Sequence, residues 1–144
     1  MKYFVVDAFT ENIFGGNPAG ICVLEKSLDE TLMQNIAKEN NLSETAFVYK
    51  EQNNYCLRWF TPGGEIDLCG HATLGTAYVI ANFVDKNVKV MKFSTKSGIL
   101  TVEKKGELFE MDFPSRMPKK IDAIDKVADV IGIKPLETHL SRDL

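Results

Sequence analysis

The sequence predicts an α+β fold in which mostly antiparallel β-strands form a sheet around one apolar helix. Residues 72–84 carry apolar or small side chains on every side of a helical projection, and a helix without a polar face is normally buried. This helix is too short to span a bilayer. We therefore expect the β-rich sequence on either side to cover it. The content of 44% hydrophobic and 26% charged residues is ordinary for a globular domain.

The first predicted elements are two strands, a glycine-rich loop and a surface helix. Residues 3–9 and 21–24 are rich in β-branched and apolar side chains and flank loop 10–20. The loop matches neither GxxxxGK(S/T) nor GxGxxG, so it does not predict a nucleotide site. Ser27 and Glu30 match a capping box, which predicts the start of an amphipathic helix.

The next predicted strand, 42–49, opens with a carboxylate at Glu44 and pairs with strand 55–60 across a polar turn. A glutamate at a solvated strand end is the commoner situation in proteins. Here the flanking Leu42 and residues 46–48 are apolar, which indicates that the strand is enclosed. Enclosure disfavours the charged form of a carboxyl group and makes it a usable proton carrier near neutral pH.

Beyond the apolar helix the pattern predicts a β-meander followed by a short helix. The meander strands are separated by glycine-containing turns and comprise 89–95, 98–103 and 108–113. A helix at 122–131 is predicted to stop at Gly132. We accordingly predict one domain over 1–117, and a linker helix with the start of a further domain over 118–144.

The start of the apolar helix, Cys69-Gly70-His71, is the predicted ligand site. The first backbone N–H groups of a helix have no intrahelical partners, and the helix dipole is positive there. Gly70 has no Cβ, so a ligand carboxylate could approach the backbone closely. A thiol in the position of Cys69 is expected to have a lowered pKa, although a buried, unreactive cysteine is the commoner situation.

Composition argues against several other classes of function. The net charge of −3 and pI near 5.4 argue against nucleic acid or an anionic membrane as the main partner. The three cysteines form no CxxC pair, and no hydrophobic leader follows Met1, so a reducing, cytoplasmic location is expected. His71 and His139 lie far apart in sequence, and Cys69 with His71 lacks further ligands. Neither a metal nor a cofactor is therefore predicted.

Four short motifs in this order resemble the PhzF-like (phenazine biosynthesis) isomerase family, which has the diaminopimelate-epimerase fold. They are 7–10 with 14–20, then 41–47, then 58–74, and finally Phe113-Pro114. The resemblance implies two similar domains, each a barrel-like sheet around a central helix. It also implies biosynthetic, cofactor-independent proton transfer on a small carboxylate-bearing substrate.

The resemblance assigns roles to individual residues. Glu44 matches the general acid/base, and Cys69 occupies the position of one of two catalytic cysteines in the related epimerases. The residues that match the substrate-binding positions are Asn17, Ser43, Gly70, His71 and Ala72.

Members of this family are roughly twice as long as this chain, on the scale of two-domain proteins. We therefore expect 144 residues to form an N-terminal half that is weakly active alone. It is expected to pair with a C-terminal half or to form a homodimer through an uncovered apolar face. Two alternatives stay open: a thiol-based amino-acid racemase or epimerase that uses Cys69, and an anion-binding assembly module without catalysis.

Overall fold

The computed structural model describes residues 1–12, 14–122 and 125–141. The chain forms two compact units, Met1–Phe113 and Pro114–Leu144. In the first unit the elements are β1 (Lys2–Ala8), β2 (Asn17–Leu24), α1 (Glu30–Asn40), β3 (Glu44–Glu51), β4 (Asn54–Thr61), β5 (Gly64–Ile66), α2 (Gly70–Val79) with a π-helical turn (Ile80–Val84), β6 (Val90–Thr95), β7 (Gly98–Lys105) and β8 (Leu108–Asp112).

One curled sheet organises the first unit. The strand order over the described residues is β1-β2-β3-β4-β6-β7-β8, with β5 added on β4. Most neighbours are antiparallel, as the sequence predicts, including the β3–β4 hairpin and the β6–β8 meander. Two pairs, β2 with β3 and β4 with β6, are parallel. The crossover between β2 and β3 contains α1, which suits a parallel connection.

Helix α2 contacts β1, β2 and β3 near one end of the strand order and β8 at the other. A single helix can touch both ends of so wide a sheet only if the sheet curls. Most side chains from His71 to Val79 are buried, as the apolar pattern predicts. Tyr78 and Phe83 are 43% and 53% exposed, however, so the later part of the apolar segment reaches the surface.

The capping box predicted for α1 is wrong. The N-cap is Asp29, whose carboxylate accepts hydrogen bonds from the backbone N–H groups of Thr31 at 2.9 Å and Leu32 at 3.3 Å. Ser27 instead donates its hydroxyl to Leu28 O at 3.3 Å. Aspartate caps a helix as well as serine does, and the sequence places it one residue before Glu30.

The second unit contains β9 (Lys119–Ile121), α3 (Asp125–Ile131) and β10 (Thr138–Leu140), with β9 and β10 antiparallel. Helix α3 stops as predicted, because Gly132 has a positive φ of 72° and its N–H bonds Ala128 O at 2.9 Å. The predicted helix positions 123–124, and the last residues of the segment predicted to open a second domain, lie outside the described residues. In the described part of the chain, no helix is both long and apolar enough to cross a membrane.

Candidate active site at the start of helix α2

The parallel pairing of β2 and β3 brings two distant segments together. Its register places Ala19 opposite Glu44, so Asn17 and Pro18 lie beside Ser43 at the same end of the sheet. The Ser43 hydroxyl lies 3.3 Å from Pro18 O and 3.5 Å from Asn17 Oδ1. These residues place polar groups beside the start of β3, where Glu44 lies.

The N-terminus of α2 lies at the same place and is left open. Cys69 is the N-cap in extended conformation (φ −147°, ψ 120°), and its side chain makes no capping hydrogen bond. Its carbonyl accepts a 2.5 Å hydrogen bond from the Thr73 hydroxyl, which fixes the first turn. A Cβ added at Gly70 would have only Met111 Cε within 4 Å, at 3.8 Å. The position beside Gly70 therefore has room for at least a methyl group.

His71 joins the helix start to the strand end. The side chain is buried, and its Nε2 lies 3.1 Å from Glu44 Oε2 and 3.5 Å from Ser43 Oγ. Its Nδ1 lies 3.5 Å from Cys69 Sγ. One imidazole ring thus contacts a carboxylate, a hydroxyl and a thiol.

Glu44 is sheltered but not held by a hydrogen bond. Its side chain is 17% exposed, and its Oε2 atom is buried without a hydrogen-bond partner among the described residues. The 3.1 Å approach to His71 Nε2 is an ion-pair distance when the ring is protonated, but hydrogen bonds also require alignment of donor and acceptor. A buried polar atom without a partner costs free energy in the ligand-free protein.

The Cys69 thiol differs from its sequence-based prediction. Burial is the main cause that raises the pKa of Cys69 to about 11, with a smaller contribution from the negative charge of Glu44 and an opposing one from the backbone N–H groups of Ala72 and His71. The lowered pKa predicted from the helix N-terminus is therefore wrong, because removal of the sulfur from water outweighs the helix dipole. Near neutral pH the thiol is protonated.

All seven residues singled out from the sequence lie at the adjoining starts of β2, β3 and α2: Asn17, Ser43, Glu44, Cys69, Gly70, His71 and Ala72. Their roles stay predictions. Sequence reasoning missed a cluster of three possible metal ligands. Glu44, Cys69 and His71 each offer one ligand atom, and these atoms all lie within 4.8 Å of one another. The start of β3 adds Glu44 to Cys69 and His71, which gives three potential ligands, one fewer than a structural zinc requires.

The curled sheet with few helices is similar to PhzF-like and epimerase-like structures. The phenazine biosynthesis-like protein family, PhzC-PhzF, matches residues 6–140, and the chain belongs to this family. The expectation drawn from the four motifs is confirmed.

Individual relatives support the assignment. The chain is 50% identical over 141 residues to an uncharacterized isomerase of Halalkalibacterium halodurans, covering 96% of this chain and 53% of that protein. A PhzF family crystal structure from Enterococcus faecalis superimposes with a TM-score of 0.91 at 52% identity, over 98% of this chain and 54% of that one. The fold alone is shared with a predicted epimerase from Pseudomonas aeruginosa, with a TM-score of 0.77 at 20% identity over 96% of this chain and 55% of that one.

The chain spans about half the length of the relatives it matches. These matches show the fold of this segment, and the activity of the whole protein is proposed below.

Proposed function

We propose that this chain contributes the acid/base half of an isomerase that moves a proton on a small carboxylate-bearing substrate. Glu44 takes a proton from a carbon atom of the substrate and returns it to another. The family and the relatives named isomerases support the reaction class. The observation that carries the role of Glu44 is its sheltered, unpartnered Oε2 atom beside the open start of α2.

A base that removes a proton from carbon needs a free lone pair near the reacting atom. Glu44 Oε2 is buried and makes no hydrogen bond among the described residues, so its lone pairs are not occupied by a protein donor. We propose that this oxygen accepts a proton from the substrate, which gives it the hydrogen partner that it lacks in the ligand-free protein. Surface glutamates, which are hydrated, lack this property.

The substrate carboxylate is proposed to bind the first backbone amides of α2, at Gly70, His71 and Ala72. These amides have no intrahelical acceptors, and the helix dipole favours an anion there. The proposed approach is past Gly70, where a Cβ would meet only Met111 at 3.8 Å. Asn17 and Ser43 supply polar groups at the side of the same space.

The proposed step is balanced without an oxidant or reductant. The C–H bond breaks, its proton goes to Glu44, and its electron pair delocalises toward the carboxylate or a conjugated group. The α2 amides stabilise the developing negative charge because they are fixed dipoles in a sheltered site. Reprotonation from Glu44 at a different carbon forms the new C–H bond and restores the carboxylate base.

The complete site is proposed to need a second half, supplied by a C-terminal continuation or by another chain. The relatives are about twice as long as the matched segment. This segment presents Glu44 and the helix start from one side only. Exclusion of water from the other side would strengthen each electrostatic interaction there.

The test is hydrogen exchange in deuterated water, with a panel of small amino-acid-like and cyclic carboxylates and a complete two-half protein. The wild-type protein is expected to incorporate deuterium at carbon, and Glu44→Gln is expected to lose this activity by roughly 10²–10⁴-fold. Glu51→Gln, at the opposite end of β3, is the matched control and is expected to leave the rate unchanged. Undiminished exchange in Glu44→Gln would remove Glu44 from the mechanism.

Contact between Cys69 Sγ and His71 Nδ1 at 3.5 Å is the observation that favours the thiol-based alternative. The raised pKa of Cys69 opposes it, since a protonated thiol is not a base. Loss of exchange in Cys69→Ser, with Glu44→Gln tolerated, would favour the thiol. Tight carboxylate binding without exchange in any assembled form would instead favour a non-catalytic anion-binding module.

A further inference from the structure

Three different metal-ligating side chains converge at the start of α2, and proton transfer by Glu44 alone does not require all of them. Glu44, Cys69 and His71 each offer one ligand atom, and these atoms lie within 4.8 Å of one another. The closest approaches are 3.1 Å between Glu44 Oε2 and His71 Nε2, and 3.5 Å between Cys69 Sγ and His71 Nδ1. Two residues come from one helix start and the third from β3.

The donor set selects the kind of cation. A thiolate and an imidazole favour zinc-type ions, whereas Mg²⁺ and Ca²⁺ prefer oxygen ligands alone. Thiolate and carboxylate together carry two negative charges, which a divalent cation neutralises. The thiol proton is released to solvent when the metal–sulfur bond forms.

One imidazole nitrogen binds one metal ion, and the two closest approaches go to different nitrogens of His71, that of Glu44 to Nε2 and that of Cys69 to Nδ1. A three-ligand zinc site therefore requires one of these two side chains to turn toward the nitrogen that the other approaches. Ligand atoms around a tetrahedral zinc lie about 3.6 Å apart, given metal–ligand distances of about 2.0–2.3 Å. The observed limit of 4.8 Å therefore requires a contraction of the cluster. Glu44 can move most easily because no hydrogen bond of the described residues holds its Oε2. The Cys69 backbone is fixed by Thr73.

An open coordination position is also available. Three protein ligands leave one tetrahedral position for water or another small ligand. Ser43 is exposed, and its Oγ is 3.5 Å from His71 Nε2, so the ring edge lies next to a solvent-facing polar residue. The space beside Gly70 adjoins the same helix turn.

We propose that Glu44, Cys69 and His71 bind a zinc-type divalent cation, which withdraws Glu44 from proton transfer and makes the ion a reversible inhibitor. Binding of the cation stands on the cluster geometry alone. Only the inhibition rests on the proposed function, because it requires Glu44 to be the acid/base.

The binding test uses Co²⁺ as a spectroscopic probe on the full 144-residue chain, followed by displacement with Zn²⁺. We expect a single Co²⁺ per chain, with visible bands typical of tetrahedral coordination and a near-ultraviolet sulfur-to-cobalt band. Cys69→Ser is expected to lose the sulfur band, whereas the control Cys56→Ser, whose thiol contacts Glu51 instead, keeps it. Absence of stoichiometric binding, or a sulfur band that survives in Cys69→Ser, would overturn the proposal.

Glu44→Gln provides a second variant that leaves the thiol in place. Because even loss of an outer-shell partner commonly weakens a metal site by about 10–100-fold, we expect its Co²⁺ affinity to fall by at least about tenfold. Unchanged affinity would exclude Glu44 as a ligand. In the exchange assay, Zn²⁺ is expected to inhibit the complete protein, and a chelator is expected to restore the rate. Metal binding without inhibition would contradict the inhibitory role. The role of Glu44 as acid/base is tested separately, by exchange in Glu44→Gln.

Discussion

Two glutamates with little exposed surface, Glu44 and Glu65, have opposite surroundings. Glu65, with a side chain 8% exposed, receives hydrogen bonds from Arg58 Nε at 2.6 Å and Nη2 at 2.7 Å and also pairs with Lys96. Arg58 also reaches Glu30 at 2.7 Å. Glu44, 17% exposed, has an imidazole at 3.1 Å and a buried oxygen without a hydrogen bond among the described residues.

The difference separates a structural carboxylate from one available for chemistry. The network of Glu65, Arg58, Lys96 and Glu30 ties α1, β4, β5 and the turn after β6 together. Hydrogen bonds from Arg58, more than those from Lys96, hold the pKa of Glu65 below its ordinary value. Hydrogen-bond donors occupy both oxygens of Glu65, whereas Glu44 Oε2 makes no hydrogen bond among the described residues.

The largest effect is expected when each of the two glutamates is replaced by the isosteric glutamine. Glu65→Gln should lower the free energy of unfolding by about 1–3 kcal/mol. This is less than the cost of breaking a fully buried ion pair, because the Arg58 side chain is 28% exposed. Glu44→Gln should change the free energy of unfolding by less than about 1 kcal/mol while abolishing exchange. Urea unfolding of both variants measures the difference. Equal destabilisation by the two substitutions would contradict the division of roles.

The raised pKa of the buried Cys69 thiol predicts that stability falls at alkaline pH. Burial raises the pKa of Cys69 to about 11, whereas the thiol of the unfolded chain titrates near 8.5. As pH rises, the unfolded chain therefore loses its proton first, and stability present below about pH 8.5 is lost as pH approaches 11. At about 1.4 kcal/mol per pKa unit, the complete loss is roughly 3–4 kcal/mol for Cys69.

Urea unfolding at pH 7.5 and 10.5 measures that loss in the wild type and in Cys69→Ala. The variant is expected to lose less stability across the interval, although Cys22, whose pKa burial also raises to about 11, contributes in both proteins. An identical pH dependence in the two proteins would mean that the Cys69 thiol titrates normally.

The smallest expected effect separates ligand space from packing. Gly70→Ala should raise the free energy of unfolding by up to about 1 kcal/mol, because alanine restricts the unfolded chain and its Cβ would meet only Met111 at 3.8 Å. It should nevertheless weaken binding of the carboxylate identified by exchange. The matched control is Gly75→Ala on the same helix, where a Cβ would make ordinary 3.6 Å contacts with Ile21 and Val6. If both variants bind the carboxylate like the wild type, the space beside Gly70 is not the ligand site.

Local sequence patterns predict most elements of the first unit. Alternation and turn residues indicate the meander, and the uniform apolar character of 72–84 indicates a buried helix. Propensity could not separate Ser27 from Asp29 as the cap, since both residue types serve. The exposure of Tyr78 depends on the width of the sheet, which local sequence does not encode.

The site was only partly predictable for a related reason. The sequence indicates Glu44 and the α2 start separately, but their contact depends on the packing of α2 against β3. Pairing between distant strands follows from the whole core rather than from either segment. Burial of Cys69, the commoner situation by sequence, is confirmed, and only its lowered pKa was wrong, because sequence does not show how far burial outweighs the helix dipole.

A crystal structure of the complete two-half protein with the carboxylate identified by exchange would test the central claim most directly. The account predicts that the carboxylate binds the amides at Gly70, His71 and Ala72, with the carbon that loses its proton about 3–3.5 Å from a Glu44 oxygen. A carboxylate bound elsewhere, with Glu44 facing water or out of reach of that carbon, would contradict it.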